Sequence, residues 1–333
     1  MKRFMRILRR WLLMAVVLTL LICGGLYAYR LVFSLSYNYD GGLDGVDLAQ
    51  NVTPDSSITN IALFGVDTRD VDIGTRSDSM MILTVDNTRH KLKLTSLMRD
   101  SLVPIEGHKK DKLCHAYAYG GPELAIRTIN QDFGTDISEY ITVDFGQMKG
   151  LIDKVGGIYV DVSEKERVEA NKFIKEYQKE KGVPKDERTP IEAAGYQHLN
   201  GVQAMCYARI RKGGTGDDWG RVERQSIVMQ AMFNQVQEMG TGELIGLMTE
   251  MMHDVTTSLS PAEIIPLLLG AMKDGKPAIE HSRIPADGDW EYGGSAGEYI
   301  KFDLDRASEQ LHAYIYDDIP PGGAASGTGS TDG

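Results

Sequence analysis

The 333-residue chain is poor in cysteine, with only Cys23, Cys114 and Cys206. Three thiols cannot form the paired framework of a small disulfide-stapled domain. Basic charge is not in excess either: 36 Lys and Arg stand against 47 Asp and Glu, a formal net charge of −11. Nucleic-acid binders need a basic face to meet phosphates, so this balance argues against one. No internal repeat is evident. A chain 42% hydrophobic and 25% charged is neither collagen-like nor wholly disordered. After residue 30 no run is long and apolar enough to span a bilayer.

The charge that is present is unevenly spread. Lys2, Arg3, Arg6, Arg9, Arg10 and Arg30 place six cations in the first thirty residues, with no Asp or Glu among them. The rest holds 36 − 6 = 30 cations against 47 carboxylates, or −17. Residues 11–29 (WLLMAVVLTLLICGGLYAY) carry no charge. At 1.5 Å per residue they would span about 28 Å, close to a bilayer's hydrocarbon thickness. Five cations before this run and one after it predict a transmembrane anchor with a cytoplasmic N-terminus. A cleaved signal peptide is the rival reading. It would want an A-x-A site and a shorter apolar run. The expected organisation is therefore a cytoplasmic N-terminus (1–10), an anchor (11–29), a stalk (30–57), an extracellular domain (58–318) and a Gly/Ser-rich disordered tail (319–333). The expected location is the plasma membrane, crossed once.

In the domain, strands are expected at Asn60–Val66, Ser79–Val85 and Lys91–Leu97. The last alternates leucine with Lys91 and Lys93, which predicts one wet face. Pro122–Phe133 reads as a helix with Pro at its first position and Gly134 past its end. Strands follow at Tyr140–Phe145 and Gly157–Val162. A charged, solvated helix is expected over Ser163–Lys181, and further helices over Arg221–Met239, from Ser260, and over Asp305–Tyr316. Short loops between the early strands predict an α/β fold: a central mixed or antiparallel sheet flanked by helices (α/β/α), preceded by one transmembrane helix.

A meander of the first three strands would gather charged residues at one sheet end. Asp67 and Arg69 follow the first strand, Arg76 and Asp78 precede the second, and Arg99 and Asp100 follow the third. Mg²⁺ is commonly held by one or two carboxylates plus waters and substrate phosphates. Arginine offers a planar fork matched to phosphate oxygens. A second cluster lies in MCYARIRKGGTGDDWGRVERQ. If Met205–Arg211 is a strand, Arg209 and Arg211 share one face. Arg221, Arg224 and Gln225 share a face of the next helix, near an N-terminus that favours anions. A structural ion-pair network is the alternative reading of this cluster.

The segments NIALFGVDTRD, RSDSMMILTVD, SLMRDSLV, KLCHAYAYGG, VDFGQMKGLIDKVGGIYVDV, GYQHLNGVQAMCYARIR and GRVERQ occur in the order of the LytR-CpsA-Psr family, which the chain resembles over about Asn60 to Gln237. Two positions depart from the family's pattern: Met98 replaces a common Pro and Cys114 a common Asn. The resemblance implies a membrane-anchored bacterial enzyme acting outside the cell, with a hydrophobic pocket for a polyprenyl tail. It would move a secondary cell-wall glycopolymer, such as teichoic acid or capsule, from a polyprenyl-pyrophosphate carrier to peptidoglycan, forming a phosphodiester. By matched position Asp67 and Asp78 would hold Mg²⁺ (or Mn²⁺). Arg69, Arg76, Arg99, Lys112, Arg209, Arg211, Arg221 and Gln225 would bind the pyrophosphate. Asp67, Arg99, Arg209 and Arg211 would serve catalysis. The implied partners are the lipid-linked glycopolymer, peptidoglycan and membrane lipid, with no nucleic acid. A polyprenyl-pyrophosphate hydrolase and a non-enzymatic polymer-binding or regulatory protein remain the alternatives.

Overall fold

The computed structural model describes residues 38–39, 55–66, 77–211, 217–240, 243, 246–247, 255–260, 263–264, 266–267, 270, 278–294 and 298–322. The expected anchor at 11–29 and the tail beyond 322 lie outside them, as do Asp67, Arg69 and Arg76. Among the described residues no helix is long and apolar enough to cross a membrane.

The strands are β1 (Asn38–Tyr39), β2 (Ile58–Val66), β3 (Ser77–Asp86), β4 (Lys91–Leu97), β5 (Leu102–Val103), β6 (Asp111–Lys112), β7 (Glu139–Asp144), β8 (Ile158–Val162), β9 (Gly195–Leu199), β10 (Thr256–Thr257), β11 (Ala278–Ile284), β12 (Trp290–Gly293) and β13 (Tyr299–Phe302). The helices are α1 (Leu113–Phe133), α2 (Phe145–Lys154), α3 (Glu164–Glu180), α4 (Gly201–Ala208), α5 (Asp217–Glu238) and α6 (Leu304–Asp317). The central sheet runs β1-β10-β7-β2-β3-β4-β11. β2, β3 and β4 form the antiparallel meander, while β7 joins β2 and β11 joins β4 in parallel. The sheet is therefore mixed. Asn38–Tyr39, inside the stretch read as a stalk, pair with β10 at its edge.

Alternation along β2 divides the core. Ala62, Phe64 and Val66 face α1 and α6, packing with Ile126, Ile129, Phe133, Leu311 and Ile315. Ile61 and Leu63 face the other way, with Met81, Leu94, Leu259 and Ile264. The second face continues into a cluster that joins α2 to α5 and the β8–β9 pair. Helices thus cover both sheet faces, which the near-continuous buried run of β2 requires.

Several boundaries differ from expectation. The helix expected from Pro122 follows a kink at Gly120 and Gly121, whose dihedrals are not helical, and a further helical stretch from Leu113, not expected from the sequence, leads into it. Gly134 ends it in the left-handed region, as expected. The wet face expected on β4 is wrong at Lys93, which is 0% exposed. Lys93 Nζ donates to the α6 carbonyls of Tyr314 (2.7 Å) and Ile315 (3.2 Å) and pairs with Asp318 at 2.9 Å. Helix-end carbonyls welcome a cation, so α6 covers the lysine. Cys114 and Cys206 are both buried, and burial pushes the Cys206 thiol up to about 12.

Candidate functional site

The meander gathers charge at one end of the sheet, as its topology demands. β3 starts where β4 ends, with Met80 opposite Leu97. Asp78 stands at an irregularity there: Gly65 pairs with Ser79 and Val66 with Ser77, so Asp78 is the extra residue. Such a bulge bends the strand and re-aims the unpaired side chain. The Asp78 carboxylate makes a very close ion pair with Arg99 Nη1, and its Oδ2 lies 3.7 Å from Arg211 Nη2. Arg211 is half exposed at 51%, whereas Asp78 and Arg99 are largely covered.

The Arg99 turn is tied down by backbone bonds. Leu113 and Cys114, in the first turn of α1, donate their amides to the Ser101 and Arg99 carbonyls, each at 2.9 Å. This satisfies two donors that a helix start leaves open. Ile300 donates to the Asp100 carbonyl at 2.8 Å. Asp100 in turn lies 3.4 Å from Arg99 Nε and 3.1 Å from Lys112 Nζ. Asp100, gathered at this sheet end but absent from the expected ligands, is a counter-ion to both cations. Its signal was the Arg-Asp pair itself, which places a counter-ion next to each cation. Beside Lys112, Asp111 accepts from Tyr119 Oη at 2.6 Å and lies 2.8 Å from His115 Nδ1. Burial pushes the Asp111 carboxyl up, but the bonds from Tyr119, His115 and the Lys112 amide outweigh it and hold it at about 2.

The second cluster is built differently from expectation. Met205–Arg211 is not a strand: Gly201–Ala208 forms α4, started by a capping box between Asn200 and Gln203. Arg209 follows as the residue ending the helix, its guanidinium 5.9 Å from the centre of the Phe173 ring on α3. Arg221 and Gln225 lie on α5, at 2% and 7% exposure. Arg224, one turn beyond Arg221, donates through Nη2 to the Ile210 carbonyl at 2.6 Å. The Arg221–Gln225 turn is thereby fastened to the segment bearing Arg209 and Arg211. Contacts run continuously from α5 through Ile210 and Arg211 to Asp78, Arg99, Asp100 and Lys112. The cations Arg99, Arg211 and Lys112 meet the carboxylates Asp78 and Asp100, an excess of one positive charge (3 − 2).

Residues 41–313 match the family model described as LytR_cpsA_psr. The chain belongs to the LytR_cpsA_psr family. The family's curated relatives include the polyisoprenyl-teichoic acid–peptidoglycan teichoic acid transferase TagU of Bacillus mycoides, 30% identical over 292 residues, or 84% of this chain and 87% of the relative. TagU of Oceanobacillus iheyensis is 30% identical over 278 residues, 76% of this chain and 77% of the relative. Among solved structures, Bacillus subtilis TagV is 25% identical with a TM-score of 0.61, covering 80% of this chain and 100% of that one. TagT with bound octaprenyl pyrophosphate lipid shares the LytR_cpsA_psr fold at 20% identity and a TM-score of 0.58, covering 84% of this chain and 99% of that one.

For the divalent ion implied by the resemblance, the donor chemistry fits. Asp78 is a hard oxygen donor, and only one of its oxygens is in close contact with a guanidinium. Among the described residues no group of three or more His, Cys, Asp or Glu could hold a metal. An Mg²⁺ held by one or two carboxylates and substrate phosphates needs no such cage. The second expected ligand, Asp67, lies outside the described residues.

Proposed function

We propose that this protein transfers a cell-wall glycopolymer from a polyprenyl-pyrophosphate carrier to peptidoglycan, as the names of its teichoic acid transferase relatives suggest. The observation that carries this reading is the convergence of Asp78, Arg99 and Arg211 at the sheet end, from three separate parts of the chain. A site with surplus arginine suits a multiply charged diphosphate.

The reaction is an in-line phosphoryl transfer. A peptidoglycan hydroxyl attacks the phosphorus nearest the glycopolymer. The bond from that phosphorus to the bridging oxygen breaks, and polyprenyl phosphate leaves with the electron pair. The hydroxyl proton passes to a site carboxylate, for which Asp67 is our assignment. Catalysis of this kind rests on positioning and charge neutralisation. Arg99, Arg209 and Arg211 bind the phosphate oxygens on which charge develops, with Arg69, Arg76, Lys112, Arg221 and Gln225 completing the pyrophosphate contacts. Asp67 and Asp78 would hold Mg²⁺ (or Mn²⁺), which neutralises pyrophosphate charge when bound. Residues 11–29 anchor the protein in the plasma membrane, with the catalytic domain outside the cell.

The test is incubation with a polyprenyl-pyrophosphate-linked saccharide, with and without peptidoglycan. A covalent saccharide–peptidoglycan adduct, lost on chelation and in Arg99→Ala, is the expected result. Saccharide phosphate released by water at an equal rate without acceptor would make the protein a hydrolase instead. Lipid binding without turnover would make it a non-enzymatic binder.

A further inference from the structure

Arg209 and Arg211 follow the end of α4 on a short segment whose last bonds to that helix are made by the Arg209 and Ile210 amides, which donate to the Cys206 and Tyr207 carbonyls at 3.3 Å each. Two other helices also hold this segment. Arg224 of α5 is buried, and its guanidinium reaches two acceptors. Nη2 donates to the Ile210 carbonyl at 2.6 Å, and Nη1 lies 3.4 Å from Glu166 Oε1 on α3. Glu166 is itself locked, since its Oε2 accepts from the Ser163 amide (3.0 Å) and hydroxyl (2.7 Å) in the capping box that starts α3. Further along α3, Phe173 lies under the Arg209 guanidinium. The carbonyl that Arg224 holds belongs to the peptide between Ile210 and Arg211, so the bond sets the direction in which Arg211 leaves the backbone.

We propose that Arg224 is a positioning residue for Arg209 and Arg211, with Glu166 as its counter-ion. The charged α3 segment is then a support for the site as well as a solvated face. Only an arginine suits this place. Its planar fork serves a carbonyl and a carboxylate at once, whereas a lysine offers one compact charge. The inference rests on the proposed reading of Arg209 and Arg211 as pyrophosphate ligands, so its test includes a variant for that reading alone.

Titration calorimetry of the full-length protein with inorganic pyrophosphate and Mg²⁺ reads out affinity per folded molecule. Arg211→Ala tests the ligand reading. Arg224→Lys keeps the buried charge beside Glu166, and Arg224→Met with Glu166→Gln removes both charges. Replacing a buried ion pair as a pair avoids stranding one charge. We expect all three variants to bind pyrophosphate about tenfold more weakly, the scale of one lost charge-assisted hydrogen bond. In the two Arg224 variants, amide exchange at Arg211 should also quicken. If Arg211→Ala binds as wild type, the ligand reading fails. If Arg211→Ala is weakened but Arg224→Lys binds as wild type, the positioning role is overturned, whether or not the double variant folds. A folded double variant of wild-type affinity overturns it as well.

Discussion

Asp78 illustrates how little of a residue's role lies in its identity. An aspartate before a strand is most often a turn or cap residue. Here the extra residue in the β2–β3 pairing turns its carboxylate toward Arg99 and Arg211. The types were legible in the sequence: arginines and aspartates at the ends of three expected strands. Arg224 was visible on a shared face with Arg221 and Gln225, but spacing could not say that it would bind the Ile210 carbonyl. Asp132 was not legible at all. It sits on α1 with a buried, unpartnered Oδ2, and burial raises its carboxyl to about 7 against the pull of Lys110. A folded-state value above the unfolded one means that the folded protein keeps its proton longer. Stability should fall as pH rises from about 4 to 7, and the cost should persist above that. Asp132→Asn should therefore raise the melting temperature at pH 8 and leave it nearly unchanged near pH 4, as thermal denaturation at both values would show.

At the scale of elements, local signals served well where they were redundant. Lys91–Leu97 is the expected strand, and Ser163 begins the expected charged helix through a capping box with Glu166. They misled at Met205–Arg211, where alternating apolar residues read as a strand face. The decisive signal was Asn200-x-x-Gln203, whose reciprocal bonds (3.0 and 2.9 Å) start α4. With that helix in place, Arg209 and Arg211 sit beyond its end and not on a sheet face. Asn200→Ala should cost about 1 kcal/mol, the usual worth of an N-cap. For a domain of this size that is a drop of about 2–4 °C in melting temperature, measurable by calorimetry. An unchanged melting temperature would mean that Gly201 and its bond to Asp153 (2.7 Å) hold the helix start alone.

Across the whole molecule, the two ends of the sheet do different work. The end bearing Asp78 and Arg99 gathers the site, while the other end is closed by Lys93 under α6. Lys93→Met should destabilise the protein by about 3 kcal/mol, the low end for breaking a buried pair, because Asp318 is partly exposed. Its pyrophosphate affinity should stay at the wild-type value in titration, since Lys93 is remote from the site along β4. The amino-acid sequence by itself determined the fold class, the order of the meander and the residue types at its ends. Those follow from local periodicity, loop length and turn chemistry. Only the tertiary structure decided the partners: that Arg224 serves Ile210, that Lys93 is buried, and that Asp78 joins residues 21 positions away in Arg99 and far along the chain in Arg211. Contacts between distant segments depend on how helices pack across the sheet, and no local pattern carries that geometry.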